Sequence, residues 1–326
     1  KKKGFGIDFN STAMYDQAWL FPKFQNIYGA GDFPTTTETI STDAWGPRLD
    51  QGTTHEQWNS PVDAAGNREL TPWVSYPERH RDFFQTGATY TNNLAISNSS
   101  EIGSYRLSYT NLNNTGIVPN TDLKRNTLNL AANYKLHPKL QINTNLGYTN
   151  NKSDNRPAAY RESVSNLVYR LPANIDINQL RNYWVPGKEG LQQFSIDGED
   201  NPYFVAYEHT NAYTRDRLTG NIQALLSIRP DLQLMVRTGM DLYNEEHENK
   251  RPFSSKRNKQ GAYSIDKAYF KEQNTDVLLT YTKQLNQNWF FSIAAGANRM
   301  DRKTTSLEQK TESLSIPEVY NISNAT

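Results

Sequence analysis

The stretch RNTLNLAANYKLHPKLQINTNLGYTN (Arg125 to Asn150) decides the fold. Leu128, Leu130, Ala132, Tyr134 and Leu136 fall on alternate positions, with Thr127, Asn129, Asn133 and Lys135 between them. A period of two puts the first set on one face of a β-strand and the second set on the other. After His137-Pro138 the alternation restarts through Leu140, Ile142, Leu146 and Tyr148, opposite Gln141, Asn143, Asn145 and Gly147. Two such runs around a short join read as an antiparallel hairpin with one apolar and one polar face.

The same grammar extends in both directions. Phe5, Ile7 and Phe9 alternate with Gly4, Gly6, Asp8 and Asn10, and residues 86–97 carry Tyr90, Leu94 and Ile96 before 102–111 answer with Tyr105, Leu107 and Tyr109. Downstream, Leu218, Ile222, Ala224, Leu226 and Ile228 precede Leu232, Leu234, Val236 and Met240. A last pair holds Val277, Leu279 and Tyr281, then Trp289, Phe291, Ile293, Ala295 and Ala297. This makes about nine strands.

The joins alternate in length. Short ones fall at Asn98 to Glu101, His137-Pro138, Arg229-Pro230 and Gln284 to Gln287; long ones cover 14–85, 112–124, 151–214 and 245–275. One trimmed rim and one elaborated rim predict an all-β, antiparallel transmembrane barrel with long extracellular loops. A soluble antiparallel β protein shares the period of two, but seldom places such long connections at every second join. Tyr90, Tyr109, Tyr134, Tyr148, Tyr243, Tyr281 and Trp289, near strand ends, form candidate interfacial girdles.

Composition agrees with a wet, folded chain. Hydrophobic residues make up 36% of 326, while 19 Tyr, 13 Phe and 6 Trp exceed what a disordered chain carries. Lys+Arg 35 against Asp+Glu 34 leaves a formal charge of +1, so no global field draws nucleic acid. There is no cysteine, hence no disulfide or thiol chemistry. No run approaches a transmembrane helix, but a spanning strand needs only about 9 to 11 residues with one apolar face. Lys1-Lys2-Lys3 leads into GFGIDFN, which lacks the apolar core of a secretory signal; the N-terminus of an exported protein would lie elsewhere.

Two loops carry more than length. Residues 14–85 hold Trp19, Trp45, Trp58 and Trp73 with Pro22, Pro34, Pro47, Pro61, Pro72 and Pro77, which predicts a folded lobe able to dock a partner or a sugar ring. Packing of the lobe itself competes for each tryptophan. Residues 158–171 place Val164, Leu167, Val168 and Leu171 on one helical face between Pro157 and Pro172.

Motifs of enzyme chemistry are missing. There is no P-loop, dinucleotide fingerprint or HExxH. His55, His80, His137, His209 and His247 are scattered, and the acidic groups Glu245, Glu246, Glu248 and Asp197, Glu199, Asp200 lack calcium-loop spacing, so no metal or cofactor is expected. Asp176, Glu199 and Glu208 suffice in number for a glycosidase pair, but nothing selects them. Lys250-Arg251 and Lys256-Arg257-Asn258-Lys259 read as charged loop rather than a phosphate track.

A specific likeness rests on RDFFQTG (Arg81 to Gly87), SYRLSYTNLNNTGIVPNTDLKR (Ser104 to Arg125), NPYFVAYE (Asn201 to Glu208) and TRDRLTGNIQALLSIRPDLQL (Thr214 to Leu234). In this order they resemble the early barrel of the SusC/RagA family of TonB-dependent outer-membrane transporters. The resemblance implies a barrel of about 22 strands around an N-terminal plug. Such a transporter imports glycans or peptides across the outer membrane of a Gram-negative bacterium of the Bacteroidota. It works with a SusD-like lipoprotein and is driven through TonB contact on the plug. The likeness spans essentially the whole chain but only the first part of that barrel. Residues 1–326 therefore read as a fragment, with plug and C-terminal strands elsewhere, and Lys1 to Gly6 as the junction after the plug.

An open nine-stranded sheet would expose unpaired backbone at both edges in lipid, at several kcal/mol per group. Candidates for the substrate- or partner-facing loops are Trp19, Trp45, Trp58 and Trp73, with Tyr203, Phe204 and Tyr207 as further ones. No catalytic residue is expected. A surface binding or adhesion protein is the competing class.

Overall fold

A computed structural model describes residues 4–33, 41–158, 163–193 and 198–326. Pro34, Asp197, Lys1 to Lys3 and positions 159–162 of the expected 158–171 helix lie outside them.

The alternating segments form one antiparallel sheet of nine strands: β1 Gly4–Asp16, β2 Gly87–Ser99, β3 Gly103–Thr115, β4 Asp122–His137, β5 Leu140–Ser153, β6 Asn211–Arg229, β7 Leu232–Phe253, β8 Gln260–Gln284 and β9 Phe290–Thr311. Each strand pairs with its neighbours in sequence, so the sheet is a meander from β1 to β9. It is open: among the described residues β1 and β9 do not pair with each other, and no closed barrel is formed.

Register aligns the apolar positions. Ile7 faces Ile96, which faces Leu107, then Leu130, then Leu146. Phe9, Leu94, Tyr109, Leu128, Tyr148, Leu218 and Leu242 form the next row. Farther along, Leu226, Leu234, Leu279 and Ala295 share a row. A one-residue slip anywhere would turn a strand's apolar set to the other side, so this agreement across every ladder fixes one apolar face. The opposite face carries Asn129, Asn133, Asn143, Asn145, Asn221 and Gln223.

Joins at 100–102, 138–139, 230–231 and 285–289 are short, as expected. Two of the four expected long loops are not long. β3 and β4 run on until only 116–121 joins them, and β7 and β8 until only 254–259 does. Residues 245–253 and 260–275 are strand with polar side chains on both faces, which erases the period-two signal while backbone pairing continues. The remaining long connections, 17–86 and 154–210, build a lobe with short helices α1 Val164–Tyr169 and α2 Pro202–Glu208. Val164, Leu167, Val168 and Leu171 are buried there, as the helical spacing predicts.

Among the girdle candidates, Tyr90, Tyr109, Tyr134, Tyr148 and Tyr281 lie on the apolar face. Tyr243 does not. Its register partner is Arg217, one position out of phase with Leu218 and Leu242, and its ring stacks on Phe270 at 5.0 Å on the polar face.

Candidate functional site

Three surfaces organise the molecule: the apolar face, the polar face and the lobe.

The apolar face is exposed. Phe5, Ile7 and Phe9 in β1 and Phe291 and Ile293 in β9 stand out from the sheet with nothing packed over them among the described residues. Tyr15 and Tyr90 meet edge to face at 6.2 Å, with hydroxyls 3.2 Å apart, at the long-loop end of the belt.

The polar face is charge-compensated. The Arg106 guanidinium is 3.6 Å from the Asp8 carboxylate. Arg217 donates through Nε and Nη2 to both Asp241 oxygens at 2.9 and 2.6 Å, and Asp276 accepts from Arg237 at 2.9 Å and Asn298 at 2.6 Å. Between Arg106, Asn133, Asn143 and Asn145 lies a depression of about 590 Å³ floored by backbone and short side chains. Amide, hydroxyl and paired charge suit a wetted surface contacting a polar chain or solute.

The lobe is a single packed body made of both long loops. Trp58 and Phe83 from the first join Leu167, Val168, Ile175, Ile177, Leu180, Tyr203 and Phe204 from the second in one apolar cluster. Ala30, Leu49 and Trp73 pack against Ala173 in a smaller one. Gly29 lies so close to Trp73 that a Cβ there would sit 2.2 Å from the indole, and the Gly46 amide donates a hydrogen bond to the Gly29 carbonyl beside it. The Trp73 indole nitrogen donates to the Pro47 carbonyl at 2.9 Å.

Polar bonds cross between the loops. Arg79 donates to the Leu171 carbonyl at 3.0 Å and to Asn26 at 2.6 Å, and burial pulls its guanidinium down to about 10. His80 stacks on Phe24 at 3.8 Å; burial, with Arg79 adding to it, lowers its imidazole to about 4.

α2 follows from local chemistry. Asn201 caps it by accepting from the Tyr203 and Phe204 amides, Pro202 opens its first turn, and the Asn201 side chain also donates to the Leu180 and Gln193 carbonyls. The sequence therefore contained a helix start at NPYF that the loop expectation passed over. The lobe is tied to the sheet through Asn155, which donates to the Ala206 carbonyl and accepts from the Asn211 amide, and through Gln192 and Asp200, which bond the 254–259 turn. His209 bonds Ser255 at 2.8 Å; burial first, then Arg251, pushes it down to about 3. Burial raises the Asp200 carboxyl.

The seven loop aromatics divide. Trp58, Trp73, Tyr203 and Phe204 lie inside the lobe and pack it. Trp19, Trp45 and Tyr207 are exposed, Trp45 against Tyr28 at 5.6 Å and Tyr207 parallel to Tyr183 at 6.2 Å. Tyr183 and its neighbour Trp184 complete an aromatic shelf beside α2 that sequence reasoning missed, since a lone YW in a loop has no period. No group of three His, Cys, Asp or Glu among the described residues is placed to hold a metal ion.

No protein-family model matches the chain, and no curated protein matches its sequence. Solved structures do. A chain of the RagAB peptide transporter superposes with a TM-score of 0.61 at 16% identity, over 85% of this chain and 30% of that one. A chain of the RagAB peptide importer in its "closed-closed" state gives 0.68 at 14% identity, over 100% of this chain and 38% of that one. The fold is similar to part of a RagAB chain. The present chain spans about a third of the length of these relatives, and at such identity the likeness concerns the fold. It agrees, at the level of the fold, with the family resemblance of the sequence.

Proposed function

We propose that the chain is a sector of the wall of an outer-membrane transporter of the SusC/RagA kind, together with part of its extracellular surface. The observation that carries this is the continuous exposed apolar face, aligned over nine strands and backed by a polar one. In water such a face is an aggregation hazard; in a bilayer it is a lipid contact. A surface adhesion protein leaves it without a solvent. The open edges β1 and β9 then pair with further strands that close a barrel, because unpaired backbone is not tolerated in hydrocarbon.

On this reading the polar face lines the lumen and meets a plug, and the long-loop end is extracellular. Trp19, Trp45 and Tyr207, with Tyr183 and Trp184, face substrate or a SusD-like lipoprotein, while Trp58, Trp73, Tyr203 and Phe204 hold the lobe that presents them. The cargo is a glycan or a peptide, RagAB being a peptide transporter. Import is driven through TonB and needs no covalent step on these residues.

These 326 residues hold no cysteine, so a single cysteine placed among them reports cleanly once any cysteine elsewhere in the full-length protein has been replaced. Leu128→Cys, Asn129→Cys, Leu130→Cys and Ala131→Cys, labelled in the full-length protein in its membrane, are expected to alternate. Even positions respond to a lipid-borne quencher and odd ones to an aqueous quencher. Uniform aqueous quenching overturns the membrane reading. Uptake of labelled oligosaccharide against labelled peptide, with and without energy coupling, then decides the cargo.

A further inference from the structure

β8 and β9 carry a charge arrangement that the barrel wall does not require. Lys271 and Lys303 are register partners on adjacent strands, on the same face as Val277, Leu279, Ile293 and Ala295. Like charges directly opposite one another destabilise a sheet. Neither ammonium has an ion pair or hydrogen bond among the described residues. The acids nearest along that face are taken: Asp301 binds Arg299 at 2.9 Å, and Glu246 binds Lys267 at 2.9 Å. Lysines often guard exposed sheet edges, but β8 is paired on both sides, so edge protection does not account for Lys271.

Their height is informative. On β9 the outward face runs from Phe291, beside the short turn, through Ile293, Ala295 and Ala297 to the Arg299–Asp301 ion pair and then Lys303, twelve residues after Phe291. At about 3.3 Å per residue and a barrel tilt of about 40°, that is a rise of roughly 30 Å, one hydrocarbon thickness. The lysine pair thus stands about one hydrocarbon thickness from the short turn, toward the long-loop side.

Directly above the pair, on the same face, is a depression of about 430 Å³ bounded by Asp216, Asn244, Glu246, Lys267, Tyr269 and Thr305. Asp216 is held by the Tyr148 hydroxyl at 2.5 Å and the Asn150 amide at 2.9 Å. Carboxylate, amide, hydroxyl and aromatic ring are the groups that bind sugar hydroxyls, and two adjacent ammonium groups are a site for phosphate.

We infer that this outward face binds the phosphorylated saccharide headgroup of a membrane lipid, with its phosphate between Lys271 and Lys303 and its sugar in the depression above. The inference rests on the membrane reading given above. It assigns the site to a boundary lipid rather than to transported cargo, because it lies on the lipid side of the wall.

The test uses the full-length protein in nanodiscs and two probes: a bisphosphorylated disaccharide glycolipid and its dephosphorylated counterpart. The wild type is expected to prefer the phosphorylated form by roughly thirtyfold, at about 1 kcal/mol for each of the two lysines. The K271Q/K303Q variant loses the preference. K283Q, on the same face at the opposite end of β8, keeps it. Retention of the preference by the double variant, or equal binding of both lipids by the wild type, overturns the site. Failure of the membrane reading is separate and shows as aqueous quenching at Leu128→Cys and Leu130→Cys, whatever the lysine variants do.

Discussion

Sheet and lobe treat the same kinds of side chain in opposite ways. In β1, Phe5, Ile7 and Phe9 are 64%, 63% and 69% exposed, whereas in the lobe Trp73 and Phe204 are 1% and 0% exposed. Both regions have well-paired backbones, so the difference is not one of order. It is a difference of solvent. The lobe buries its apolar surface against itself, as a protein does in water, at roughly 25 cal/mol per Å² of gain. The sheet turns its apolar surface outward, which is stable only where the surroundings are themselves apolar.

The comparison is broken most sharply by truncating one member of each set. Phe204→Ala removes a buried ring that meets Tyr183, Trp184 and His209, and is expected to cost the lobe about 3–5 kcal/mol. Phe9→Ala, in the full-length protein in a bilayer, exchanges a ring for lipid and is expected to cost under about 1 kcal/mol, since no protein cavity forms. Hydrogen exchange of the 154–210 segment and of β1 reads both. Equal costs would mean that the apolar face packs against protein and not lipid.

Sheet and lobe also differed in how far the sequence revealed them. Strand positions, short joins and the facing of Leu128, Leu130 and Leu146 were legible because one-sided burial imposes a period of two. The signal stopped where strands left the apolar layer. Residues 260–275 carry Ser264 and Asp266 on one face and Lys267 on the other and read as loop, although the ladder to β9 is unbroken from Tyr263 onward. In the lobe, the tryptophans drew attention to the first long loop, but composition carries no coordinates. Trp58 could be told from Trp45 only by the partner loop that covers it, more than a hundred residues away. The lysine pair was equally hidden, because Lys271 and Lys303 become neighbours through register alone.

A second, smaller effect sharpens the assignment of faces. Leu130→Arg places a charge on the outward face and is expected to cost about 2–4 kcal/mol at the centre of a bilayer. Asn129→Arg, one residue earlier and on the polar face, is expected to cost under about 1 kcal/mol, because a hydrated lumen accepts the charge. Equilibrium folding into lipid vesicles measures both. In detergent-free water, where both positions would be wet, the asymmetry disappears, and its survival there would contradict the two-solvent account.

The smallest expected effect belongs to the lobe and to pH. His80 and His209 are held neutral by burial, at about 4 and about 3, below the ordinary imidazole value near 6.5. As pH falls below 6.5 the unfolded chain takes up protons that the folded lobe refuses, so stability drops with acidity until pH passes the folded values. The loss is expected to be on the order of 1 kcal/mol per histidine between pH 6.5 and about 5.5. Carboxylates begin to protonate only at the lower end of that window, so its upper half reports the histidines. His209→Asn removes one of the two contributions while offering Ser255 a polar partner, and its melting temperature is expected to vary less between pH 6.5 and 5 than that of the wild type. The outward face carries no such buried base, so lipid contact by the Leu128 and Leu130 positions should be unchanged over the same range. A parallel loss of both would tie the lobe's stability to the sheet's and end the separation between them.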